Sequence, residues 1–286
     1  MSAFVQISKT TSHVRSSSLP SKTHPLAASV EEQLIRLKAS ESVCYKLSGL
    51  KYLYERVDDF LPLAQQAFAR QHQDKCLEEM VDGSLRLLDM CSATRDVLSQ
   101  MKECVQQLES SLRRKRGADS SMQNEVHVYM NSRKRLNKVI SKCFGNLKKM
   151  ESNCSKLPLD KDSELAIAVR MLKEVEEICL TVFGSLLSTI FGPKARSRTG
   201  KWSIVSKLLE PKQISCQGQD DSIEVEKIET ELLAMIGKTL NIVEMENVMK
   251  GLEALESNFK QMEEELECVY RQLLKNRVSL LNMLNY

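Results

Sequence analysis

The chain has 286 residues, 42% of them hydrophobic and 28% charged, with a formal net charge of +3. That apolar share is enough for a packed core and excludes wholesale disorder. Only 10 Gly, 6 Pro and 5% aromatics, set against 13 Met, exclude a turn-rich β-architecture and favour few, long helices.

Residues 1–28 contain no acid and are rich in Ser and Thr, so they read as a disordered basic tail. Within it, Arg15 three residues before Ser18 and Pro20 two residues after have the form of a basophilic kinase site. A phosphate on Ser18 would suit a 14-3-3 adaptor. The acid-free composition also fits an organelle transit peptide.

Ser29 reads as a helix cap, with Glu31 and Glu32 in the first turn, opening a helical domain over 29–286. Its first helix carries Leu34, Leu37, Val43, Leu47, Leu50, Tyr54, Val57 and Leu61, with Pro62 expected to end or kink it. Helix continues from Leu63 to Cys76, and Gly83 or its neighbourhood is expected to break the next stretch. Another helix carries Leu87, Cys91, Leu98, Met101, Val105, Leu108 and Leu112, closing on Arg113, Arg114, Lys115, Arg116 and Gly117. After a linker at 118–121, a helix with Met122, Val126, Tyr129, Leu136, Ile140 and Leu147 on one side leads to a loop around Pro158. Ser163 caps the following helix and Gly192-Pro193 stops it. Segment 192–221 is irregular, with a short helix expected around Trp202 to Leu209. A helix from Ser222 to about Val243 precedes the last one.

That last helix has the clearest pattern. Leu252, Leu255, Phe259, Met262, Leu266, Val269, Leu273, Leu280 and Met283 alternate in steps of three and four, with Asn276 in the one polar slot. The fold expected is all-α: a bundle of roughly six to seven long antiparallel helices with a coiled-coil-like C-terminal helix. The seam can close within the chain or between copies, so a homo-oligomer stays open. Asn276 either sets register as a buried amide or marks an exposed helix end.

Charge is unevenly divided. Residues 1–150 carry 24 Lys and Arg against 16 Asp and Glu, whereas residues 151–286 carry 17 against 22. From Ser111 to Lys149 there are eleven cations and only Asp119 and Glu125 as acids. Lys134, Lys138 and Lys142 recur every four residues, which places them on one ridge opposite the apolar seam. With Arg113, Arg114, Lys115 and Arg116 they form the candidate basic interaction surface. It either docks the acidic half of the same chain, faces an acidic protein or an anionic membrane, or serves nuclear import. The run Ile178–Phe191, followed by Lys194, Arg196 and Arg198, supplies an amphipathic stretch for the membrane alternative. Fourteen residues are too few to span a bilayer, which takes about 20. Few aromatics interleave with the charges, so no nucleic acid is expected.

Catalytic motifs are missing: no glycine-rich phosphate loop, no GxSxG and no HExxH occur. Nine Cys without a CxxC pair suggest reduced core thiols in an intracellular, cytoplasmic protein, and no Cys/His spacing suits zinc. No cofactor or metal is implied, and an enzyme is not expected. Glu263–Glu264–Glu265 reads as a solvated face.

Several segments carry a family resemblance in order along the chain. They are Arg15 to Pro25, Leu61 to Ala67, Asp82 to Asp89, Ser111 to Gly117, Ser132 to Arg135, Gly192 to Lys194, Trp202 to Lys207, Leu252 to Ser257 and Arg277 to Asn282. The chain resembles a land-plant family of uncharacterised function related to the BYPASS proteins. The resemblance implies a helical protein linked to root and shoot development, with no established catalytic activity and no catalytic residues to carry over.

Overall fold

The computed structural model describes residues 24–71, 74–114, 119–152, 163–192, 221–234 and 242–285. Among these there are seven helices and no strand: α1 (Pro25–Ala39), α2 (Val43–Gln71), α3 (Asp74–Arg114), α4 (Asp119–Ser152), α5 (Glu164–Phe191), α6 (Asp221–Ala234) and α7 (Ile242–Leu284).

The first helix begins earlier than the Ser29 signal suggests. Pro25 takes the first helical position, where its missing N–H costs nothing, and His24 Nδ1 accepts from Leu26 N at 3.2 Å. Ser29 lies inside α1. The expected continuous helix through Leu61 is interrupted at Ser40–Ser42, where Ser42 Oγ accepts from Tyr45 N at 3.3 Å and starts α2. The break lets α1 fold back onto α2 at close range. A Cβ placed on Gly49 would stand 2.4 Å from Leu37 Cδ2. Pro62 neither ends α2 nor separates it from the stretch beyond, and α3 runs unbroken through Gly83. The expected break at Gly83 and the expected helix end at Pro62 are thus corrected.

α5 is the central rod. Ser163 Oγ caps it by accepting from Ala166 N at 3.0 Å, and Gly192, at φ 78°, closes it through a backbone bond to Ser188 O. Its neighbours are α1, α2, α3, α4 and α6, so it is covered on nearly every side. From Ile178 to Phe191 only Ser185 and Ser188 are not fully buried. Polar groups in that run turn inward to the backbone: Ser185 Oγ donates to Thr181 O at 2.9 Å and Thr189 Oγ1 to Ser185 O at 3.1 Å. The stretch read as a surface amphipathic run is therefore core, because apolar groups occupy its whole circumference.

α7 closes the bundle chiefly against α3 and then α2. Every seam position from Leu252 to Leu280 is buried, and Leu266 and Val269 are completely so. The seam closes within the chain. Asn276 is buried with it, 6% exposed, rather than marking an open helix end. Fully burying each such side chain contributes about 1.5–3 kcal/mol, so this row is a main source of cohesion.

Candidate functional site

The candidate basic set separates into parts with different environments. Arg113 is committed to packing: its Nη2 lies 2.5 Å from both Glu109 of α3 and Glu253 of α7. It is the last rung of a ladder between the two helices. Arg95 Nη1 pairs with Glu267 at 2.5 Å, Lys102 with Glu263, and Gln106 Nε2 donates to Glu256 at 2.6 Å. As α3 numbers rise the α7 numbers fall, so the helices are antiparallel and in register over some 18 residues of α3. Here the basic and acidic parts of the chain do dock on each other. Glu263 is part of that docking rather than a purely solvated charge.

Arg114 is exposed and its Nη2 donates to Ser111 Oγ at 3.2 Å. Lys115, Arg116 and the candidate phosphosite Ser18 lie outside the described residues, as do Lys194, Arg196, Arg198 and the expected helix at 202–209.

Lys134, Lys138 and Lys142 are all exposed on the outward face of α4, as their spacing predicts. Arg135 and Lys148 are exposed beside them. Among the described residues, no carboxylate forms an ion pair with Lys134, Arg135, Lys138 or Lys142. Sequence from 126 to 150 contains no Asp or Glu, so no same-helix acid is in reach. Arg133 looks like one of this cluster but points the other way. It is 3% exposed, its Nε donates to Glu229 of α6, and Nη1 donates to Asn137 Oδ1 at 3.2 Å. Tyr129 OH donates to the same Glu229 carboxylate at 3.4 Å. The signal was available: Val126, Tyr129, Arg133, Leu136 and Ile140 share one three-and-four spacing, so Arg133 falls in phase with the apolar seam.

Two interior groups were also missed. Glu176 of α5 is 9% exposed and faces α3, with Arg86 Nη2 3.8 Å from its Oε1. Burial pushes its carboxyl above the ordinary range, against the opposing pull of Arg86 and Lys173. With Ser84, Tyr54 and Asn276 it lines a cavity of about 30 Å³, far below the roughly 300 Å³ of a ligand pocket. Beside it, burial pushes the Cys91 thiol up to about 12, and the fully buried Cys179 thiol also rises. Such thiols stay protonated and are poor nucleophiles. At the other end, burial and a hydrogen bond with Glu256 raise Glu109, inside the ladder. Asp58 of α2 pairs with Lys275 of α7 at 2.8 Å.

Between the C-terminal half of α3 and the N-terminal half of α4 runs an open groove of about 430 Å³, lined by Gln107, Ser111, Arg114, Glu125, Val128 and Tyr129. Among the described residues no group of three or more His, Cys, Asp or Glu has a metal-binding arrangement. No helix among them is long and apolar enough to cross a membrane.

A family model described as Protein BPS1 matches residues 46–283. The chain belongs to the BPS1 family. This agrees with the likeness to BYPASS-related proteins carried by the sequence segments above. The BPS1 match begins within α2 and extends into α7, so it takes in the ladder, the central rod and the basic face of α4, and leaves α1 outside. No curated protein and no solved structure matches this BPS1-family chain.

Proposed function

We propose that this BPS1-family chain is a non-enzymatic interaction protein, acting inside the cell in plant root and shoot development, and that the exposed basic face of α4 is its contact surface for an acidic protein. The developmental role rests on the resemblance to BYPASS-related proteins. The surface rests on one contrast: the cations Arg95, Lys102 and Arg113 on α3 each meet a carboxylate of α7, whereas Lys134, Lys138 and Lys142 on α4 meet none among the described residues. Unpaired like charges on one helix face repel one another and raise the local potential for an anionic partner.

Proximity labelling in root tissue with the native full chain and with Lys134→Glu/Lys138→Glu/Lys142→Glu tests the reading. Loss of an acidic set of neighbours in the variant supports it; an unchanged set overturns it. Cosedimentation with anionic vesicles is the companion measurement, since the same charges could meet lipid headgroups. The buried state of Ile178–Phe191 removes the amphipathic stretch that motivated a membrane role, which is why a protein partner is preferred. A 14-3-3 adaptor acting through phosphorylated Ser18 is a separate proposal. Ser18→Ala should abolish adaptor capture from a phosphorylated sample, and unaltered capture would dismiss it.

A further inference from the structure

α4 presents more than charge. Val128 is 56% exposed and Val139 42% exposed, and both lie on the flank of the basic ridge. Val128, Arg135, Val139 and Lys142 follow one another at steps of seven, four and three. They form a single stripe about 21 Å long on the helix surface. The stripe starts in the groove between α3 and α4, where Val128 is an apolar wall opposite Gln107 and Arg114. Lys134 and Lys138 stand along its outer edge.

The chain already contains a pairing of this design. α7 lays an apolar row along α3 and sets Glu253, Glu263 and Glu267 beside it, opposite Arg113, Lys102 and Arg95. α4 carries a sparser counterpart on its outward side: two exposed valines, Val128 and Val139, interleaved with Arg135 and Lys142 and edged by Lys134 and Lys138.

We infer that the α4 face takes an acidic amphipathic helix of a partner protein, seated with its apolar side on Val128 and Val139 and its carboxylates against Lys134, Arg135, Lys138 and Lys142. This rests on the reading of α4 as a surface for an acidic protein and names the form of that protein. Helix-in-groove recognition draws its affinity from a few apolar anchors and its orientation from flanking charge.

The test is fluorescence anisotropy of a labelled peptide of about 20 residues, long enough for roughly 30 Å of helix, with Leu on one face and Glu flanking it, added to the full chain. A scrambled peptide of the same composition and vesicles of phosphatidylcholine with phosphatidylserine are the comparisons. Expected are binding of the helical peptide with a gain of helical circular dichroism, and about tenfold loss in Val128→Ser/Val139→Ser and in Lys138→Glu. Equal binding of the scrambled peptide, unaffected by the valine changes, overturns the helix while leaving an acidic-protein surface standing. Binding of the vesicles alone overturns both, and so does binding of none of the three.

Discussion

Gly83 of α3 lies against the carboxylate of Glu176 of α5: a Cβ at Gly83 would stand 3.0 Å from Oε2 and 3.1 Å from Oε1. The glycine is there for closeness, not for a turn. It allows a buried acid to fit between two helices that would otherwise need more separation.

Gly83→Ala and Gly145→Ala should therefore differ. Gly145 is exposed on α4 with nothing within 4 Å of an added Cβ, so alanine there should stabilise by about 0.5–1 kcal/mol through helix propensity alone. Gly83→Ala gains the same propensity but must push a half-satisfied buried carboxylate aside. It should fall short of Gly145→Ala in urea midpoint at unchanged slope.

Glu176 also makes stability depend on pH. Its folded carboxyl is held above the roughly 4.3 of an unfolded Glu, so the folded chain keeps a proton that the unfolded chain releases. That contribution is full below the unfolded value and is lost as pH rises through the folded value. Glu176→Gln should thus be more stable than the native chain at pH 7, with the gap closing toward pH ~4. Chemical unfolding at both pH values checks it.

Leu266 and Asn276 occupy the same row of α7 and should respond in opposite senses. Leu266→Ala leaves a cavity at a fully buried site and should cost about 2–5 kcal/mol. Asn276 Nδ2 is buried and has no hydrogen-bond partner, so Asn276→Leu should stabilise by about 1 kcal/mol. Thermal unfolding of both variants against the native chain reads the signs directly.

The ladder should couple more strongly than an ordinary surface pair. Lys102 and Glu263 side chains are 22% and 26% exposed, against 59% and 64% for Arg36 and Glu32. Double-mutant cycles should give about 1 kcal/mol for the former and close to zero for the latter.

Reversing Lys134, Lys138 and Lys142 to Glu should leave stability within about 1 kcal/mol of native, since all three are exposed and have no ion-pair partner among the described residues. A melting curve close to native, together with altered partner binding, separates a surface role from a packing role.

Legibility in the sequence followed the range of each interaction. Ser163 and Gly192 were readable because a cap acts on its own helix, and the α7 row because periodicity is local. The helix does not end at Pro62 because a cost of about 3 kcal/mol is offset from a distance: Leu61 and Ala64 are buried in the core while Pro62 itself is exposed. The break at Ser40–Ser42 was missed because the apolar residues on both sides belong to one face of a continuous pattern only until α1 folds back. Within the basic surface, periodicity placed the α4 ridge correctly. It could not show that Arg113 meets Glu253, a residue 140 positions later, nor that Glu176 would find Arg86.

Because one face of α3 is sealed by a helix that begins at Ile242, that face stays uncovered while the ribosome translates well over a hundred further residues. At bacterial-like to eukaryotic elongation speeds of about 5–20 residues per second, that is a wait of many seconds with sticky hydrocarbon on display. Chains truncated before Ile242 are therefore expected to be held by chaperones and cleared by proteases, which a pulse-chase of such a truncation checks.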